Sequence, residues 1–213
     1  IFHYLQGTKD EIENIENVLK QNKWQVTPYM GKNGTEESFL NMHGKSPKLL
    51  HLATHGFYYT PNRAENVDYL KGYTDAMSLS GLVLSGGNAA WLGKPLPKGV
   101  LGGILSANDI ARLDLSNTDM VVLSACQTGQ GKATAEGLYG LQRAFKKAGV
   151  GTIVMSLWNV SDKTTSEFMT TFYERLADKK NAWNKRKAFE EAKEIISQKH
   201  PDPFHWAAFV MLD

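Results

Sequence analysis

Three nearly unbroken apolar runs, KLLHLATHG, MVVLSA and GTIVMSLW, constrain this chain more than any other feature. A strand that is apolar on both faces must be covered on both. Such strands alternating with amphipathic helices call for a mainly parallel sheet flanked by helices. The helices are legible between them. TKDEIENIENVLKQN puts Ile12, Ile15, Val18 and Leu19 on one stripe, with Thr8 as the expected cap and Glu11 completing an S/T-x-x-E box. TEESFLNMHG, SANDIARLDLS (capped at Ser106 or Asn108) and TAEGLYGLQRAFKKAG (stopped at Gly149) read as further helices. SDKTTSEFMTTFYERLADKK and WNKRKAFEEAKEIISQKH are long and amphipathic, and FHWAAFVML reads as a closing strand. FHYL and WQVTPY are short strand candidates near the start.

Residues 58–103 break the pattern. They gather the turn chemistry PNR, LSGG, LGKPLPKG and LGG, with SGLVLSG as one strand expected in a surface hairpin. A long irregular stretch in a compact domain is commonly functional, and this one is expected to form a groove wall or an element that orders on activation.

Composition narrows the classes. At 213 residues the chain suits one large domain better than two small ones. Its 42% apolar and 22% charged content is that of an ordinary globular protein. A net charge of +2 gives no ground for direct nucleic-acid binding or for an acidic membrane surface. No apolar run approaches the roughly 18 residues that span a bilayer, and no secretory signal pattern is visible. The sequence begins at Ile1 rather than Met, and it is read as part of a longer protein. Cys126 is the one cysteine, so no intrachain disulfide and no multi-cysteine metal site can form. That usage fits a reducing, cytoplasmic setting.

A lone thiol is often a small buried hydrophobe, but the position of this one suggests more. In parallel α/β sheets ligands bind beyond the carboxyl ends of the strands. His55 ends KLLHLATH just before Gly56, and Cys126 ends MVVLSAC just before QTGQG. If the two strands are neighbours, imidazole and thiol face one another. A thiol becomes a good nucleophile as thiolate, and an imidazole, which titrates near neutrality, can accept its proton and later protonate a leaving amine. The Gly56 and Cys126 backbone N–H groups are then the natural oxyanion donors.

Other patterns are weaker. His51 and His55 have H-x-x-x-H spacing, but the intervening Leu, Ala and Thr lack a glutamate base and the local pattern is a strand, so His51 reads as structural. TGQGKAT fails the phosphate-loop pattern, because Cys126 stands where the first glycine belongs and Ala133 follows Lys132. KKNAWNKRK reads as a solvated helix start, with a docking surface for another domain as the alternative. Thr54 and Ser124 adjoin the reactive pair and either tune it or pack locally.

HLATHG, LSGLVLSG, LSANDIARLDLS, VVLSACQTGQG, EGLYGLQRAFKKAGVGTIVMSLWNVSD and HWAAFVML together resemble the CHAT domain, a caspase-like peptidase domain related to separase and often found downstream of tetratricopeptide repeats. The likeness runs in order from about residue 4 to the C-terminus, and Gln6 stands where the family commonly has proline. The domain is assigned to residues 1–213. The resemblance implies a caspase-like three-layer sandwich with a mainly parallel, about six-stranded central sheet. It also implies a cysteine endopeptidase acting through His55 and Cys126, with Gly56 and Cys126 as oxyanion donors and no cofactor or metal. The segment Trp158 to Asp162 would border the S1 pocket, where Asp162 either selects a basic P1 side chain or simply begins a helix after Ser161, and Trp158 is either core or groove. Expected partners are a protein or peptide substrate and an upstream tetratricopeptide-repeat or other regulatory domain. The competing class is a catalytically silent protein-interaction domain.

Overall fold

The computed structural model describes the chain apart from Pro97, Gly99 and residues 125–134; Gln6, Pro61, Arg63 and residues 135–139 are described by backbone alone. In chain order the elements begin with α1 (Gln6–Gln21), α2 (Glu36–Leu40), β1 (Leu49–Leu52), β2 (His55–Tyr58), α3 (Pro61–Ala64) and β3 (Ser80–Val83). Then come α4 (Gly87–Trp91), β4 (Ile104–Ser106), α5 (Ala107–Ile110), β5 (Met120–Leu123) and α6 (Ala135–Lys147). The last are β6 (Thr152–Ser156), α7 (Asp162–Ala177), α8 (Lys185–Lys199) and β7 (Phe209–Leu212).

In place of a single sheet of about six strands, the strands divide between a four-stranded sheet, order β1-β5-β6-β7, and a three-stranded sheet, order β2-β3-β4. β1 with β5 and β5 with β6 pair in parallel, whereas β2, β3 and β4 pair antiparallel. A mainly parallel central sheet in a mixed α/β chain is consistent with a caspase-like sandwich.

The chain divides into two compact units, one of Ile1–His3, Tyr29–Trp158 and Leu212–Asp213, the other of Tyr4–Pro28 and Asn159–Met211. In the first, the apolar runs lie where their composition demands. Every residue of β5 is buried, as are Thr152 to Met155 of β6. Phe39 meets Phe145 edge to ring at 6.4 Å. Gly149, at φ +96°, stops α6 as expected, because an L side chain is strained there. Ser106 caps α5 in a full capping box with Asp109.

The second unit is built on α1, α7 and α8. Phe168 stacks on Phe209 of β7 at 3.9 Å and meets Phe189 edge-on at 5.6 Å. Asn184 caps α8, so the basic KKNAWNKRK segment does lead into a helix.

Several local expectations change. Helix α1 starts at Gln6 with Leu5 as N-cap and no side-chain cap, so the Thr8–Glu11 box does not form; the Thr8 hydroxyl instead donates to Leu5 O at 2.8 Å. FHYL and WQVTPY form no strand. KLLHLATHG is two strands: β1 ends at Leu52, and His55 opens β2 in the other sheet. SGLVLSG is no surface hairpin arm. It is β3, buried at all four positions and central in its sheet. Gly81 makes that possible, since a Cβ there would lie 2.5 Å from Leu105 O and 2.8 Å from Phe57 Cζ. The helix expected at SANDIARLDLS shrinks to the four residues of α5, since Ser106 ends β4 and the helix stops at Ile110 with Ala111 as C-cap. The 58–103 stretch carries α3, β3 and α4 rather than being irregular throughout.

Candidate functional site

The parallel ladder places the ends of two apolar strands together. Leu52 of β1 pairs with Leu123 of β5, and the Ser124 N–H extends the ladder by donating to Leu52 O at 3.0 Å. β1 and β5 are therefore neighbours, while His55 itself opens β2. Along the chain His55 follows Leu52 by three residues and Cys126 follows Leu123 by three. Cys126 itself, with its backbone N–H, lies outside the described residues, as does TGQGKAT.

His55 is only 8% exposed. The main-chain turn that leads to it is pinned by Thr54, whose hydroxyl donates to Val83 O. Its backbone is fixed by pairing with Val83 in the antiparallel ladder. Its imidazole Nε2 lies 2.5 Å from His3 O. A carbonyl oxygen only accepts, so Nε2 carries the proton and Nδ1 is the nitrogen able to take up another. The Phe2 ring tilts against the imidazole at 5.4 Å between centroids. A histidine whose Nε2 faces a backbone carbonyl in this way has its tautomer set by that carbonyl.

Gly56 is the next residue of β2. The Tyr59 N–H donates to Leu79 O, and antiparallel pairs alternate between bonded and non-bonded positions. In that register His55–Val83 and Phe57–Gly81 are bonded pairs and Gly56–Leu82 is not. The Gly56 N–H therefore points away from β3, toward the side of β2 on which, among the described residues, no strand pairs.

The remaining expected site residues fall as follows. Trp158 is half-buried, two residues past β6 in the first unit, and Asp162 is exposed as the first residue of α7 in the second. Ser161 caps α7, its side chain accepting from Thr164 N–H at 3.2 Å, so Asp162 has the helix-start position that its sequence context suggested. His51 is half-buried on β1, opposite Val122. Among the described residues no cluster of histidine, aspartate or glutamate could hold a metal ion, and no helix is long and apolar enough to cross a membrane.

Sequence reasoning missed Phe2, His3 and Asn88. Phe2 and His3 read as strand and Asn88 as loop; their contacts join positions far apart in sequence, which leaves no periodic trace. Glu36 and Glu37 were missed as well. They hold the LGG turn through Gly103 N–H to Glu36 Oε2 at 2.8 Å and Leu101 N–H to Glu37 Oε1 at 2.5 Å. Burial pushes the Glu36 carboxyl up from its ordinary value, against the pull of the Gly103 N–H.

A mixed α/β chain with a mainly parallel central sheet beside a small antiparallel one is consistent with a caspase-like α/β protein. The chain belongs to the CHAT domain family, a caspase-like peptidase family, whose model matches residues 1–213. Tetratricopeptide repeat protein 28 of Mus musculus is 33% identical over 111 residues, covering 51% of this chain and 4% of that relative. The Homo sapiens protein of the same name is 32% identical over 111 residues, with the same shares. The match thus spans a small fraction of the length of these relatives.

Proposed function

We propose that the chain is a cysteine endopeptidase domain that cleaves a protein or peptide substrate. The observation that carries this reading is His55: buried, with Nε2 against His3 O, and three residues past the end of β1, the strand that pairs with the one leading to Cys126. Nδ1 of His55 takes the thiol proton, and Cys126 Sγ attacks the scissile carbonyl carbon. The resulting oxyanion is held by the backbone N–H groups of Gly56 and Cys126. The tetrahedral intermediate collapses to a thioester, and the amine leaves with the proton from His55. Water then adds to the thioester, releases the carboxylic acid and restores the thiol. No metal or organic cofactor enters these steps.

Residues 1–213 act in this proposal as one peptidase domain. By the family resemblance the segment Trp158 to Asp162 is assigned to the S1 region, and the 58–103 segment is assigned a separate role as a groove wall. Likeness to repeat proteins supports control by an attached tetratricopeptide-repeat or other regulatory domain, in a cytoplasmic setting.

The test is peptide cleavage and labelling by a thiol-directed reagent, each measured on wild type, His55→Ala and Cys126→Ala. Cleavage should vanish in Cys126→Ala and slow about a thousandfold in His55→Ala, and labelling should be lost in Cys126→Ala and much slower in His55→Ala. Peptides that bind but are never cut, with Cys126→Ala binding them equally well, would instead establish the silent interaction domain.

A further inference from the structure

Asn88, the second residue of α4, spends its whole side-chain amide on the backbone of one distant residue. The Phe2 N–H donates to Asn88 Oδ1 at 2.7 Å, and Asn88 Nδ2 donates to Phe2 O at 2.8 Å. An amide group that meets both polar groups of one residue imitates a neighbouring strand, and it fixes the plane of the peptide that follows. The next carbonyl along the chain is that of His3, the acceptor for His55 Nε2 at 2.5 Å.

The same helix also holds the Phe2 side chain. Trp91 stands three residues after Asn88, hence on the same helix face. Its indole meets the Phe2 ring edge-on at 5.0 Å. Trp91 is itself fixed in a core cluster with Phe57, Leu79, Val83 and Ile104. Phe2 is thus clamped through its backbone by Asn88 and through its ring by Trp91, with the imidazole of His55 against the ring.

We infer that Asn88 is a positioning residue of the dyad. Acting through the Phe2 backbone, it sets the His3 carbonyl against Nε2 and so keeps His55 in the tautomer whose Nδ1 accepts the thiol proton. The inference rests on the peptidase reading. Which imidazole nitrogen carries the proton is decided by the hydrogen bond the other ring atom makes, so releasing the His3 carbonyl mixes the tautomers and frees the ring to turn. Asn88 is exposed and belongs to no core cluster, so its loss leaves the apolar packing in place.

The test uses the full chain and two readouts: the ring nitrogen-15 shifts of His55, which report its tautomer, and the rate at which iodoacetamide labels Cys126. Wild type should show Nε2–H. Asn88→Ala should show mixed tautomers, with labelling slower by about tenfold, the worth of one net hydrogen bond, and with a melting temperature close to wild type. Asn88→Asp still accepts from the Phe2 N–H but cannot donate to Phe2 O, and it should fall between them. Wild-type tautomer and labelling rate in Asn88→Ala would overturn the inference. Should that variant not fold, the same result in Asn88→Asp would do so. If wild type labels no faster than His55→Ala, the peptidase reading fails, while the nitrogen shifts still decide what Asn88 does.

Discussion

Two histidines sit in opposite kinds of surroundings. In the first unit His55 is buried, with a neutral carbonyl on Nε2 and an aromatic ring at its side. In the second, His200 is half-exposed with its Nε2 2.9 Å from Glu167 Oε2, and Lys199 Nζ lies 2.8 Å from the other oxygen of the same carboxylate. The contrast extends to the neighbours. Around the first site the partners are backbone groups, those of His3, Phe2, Gly103 and Leu101, whereas in the second unit they are charged side chains such as Glu167, Lys199 and the Lys187–Glu191 pair. A carbonyl decides where a proton sits and leaves it free to leave. A carboxylate offers a charged partner to the groups that face it. The first arrangement suits proton transfer and the second suits holding a helix to its neighbour.

Exchanging alanine at the two histidines should produce the largest difference. His55→Ala should slow cleavage about a thousandfold, the usual worth of a positioned acid–base group. His200→Ala should leave the rate unchanged and lower stability by about 0.5 kcal/mol, as a partly exposed ion pair does. Initial rates with thermal melts on the same two proteins check this. Equal rate losses, or a rate loss confined to His200→Ala, would break the comparison.

How much of this the sequence carried depended on what kind of signal each element leaves. The strands β5 and β6 and the helices α6, α7 and α8 were legible because their apolar periodicity is set by burial on a whole face. The antiparallel sheet was not. KLLHLATHG reads as one run, and nothing in residue types marks the step at Ala53 and Thr54 where the chain leaves one sheet for the other. SGLVLSG looked like a surface strand because its glycines and serines suggest turns. In the fold Gly81 is there so that Leu105 O and Phe57 can approach. His55 was legible from its place at the end of an apolar run, whereas its partner, a backbone carbonyl 52 residues away in sequence, has no side-chain signature at all.

The charged arm of the contrast is sharpened by Glu167→Gln. Hydrogen bonds from His200 and then Lys199 hold the Glu167 carboxyl below its ordinary value of 4.5. A carboxylate whose folded pKa is depressed adds stability above its unfolded value and loses it as pH falls through the folded one. At pH 7 the variant should therefore be less stable by about 0.5 kcal/mol, the screened value for a largely exposed pair. The gap should close below about pH 4.5, and also in high salt. Denaturant titrations at pH 7 and at pH 3 measure it. A gap that persists at pH 3 would mean that Glu167 acts by packing rather than by charge.

Glu36 gives the opposite sign and the smallest effect. Burial raises its carboxyl pKa above 4.5, with the charges of Asp109 and Glu37 adding to the rise and the Gly103 N–H opposing it. A carboxyl whose folded pKa is raised binds its proton more tightly in the native state. Its stabilising contribution is thus complete at low pH and declines as pH rises from the unfolded value through the folded one. Glutamine keeps an oxygen for the Gly103 N–H and carries no charge to bury. Glu36→Gln should accordingly match or slightly exceed wild type in melting temperature at pH 7 and lose that advantage near pH 4, while Glu36→Ala, which abandons the Gly103 N–H, should fall by about 1 kcal/mol. If Glu36→Gln is instead as damaging as Glu36→Ala at pH 7, the charge itself holds the LGG turn, and the first unit relies on ionic partners as the second does.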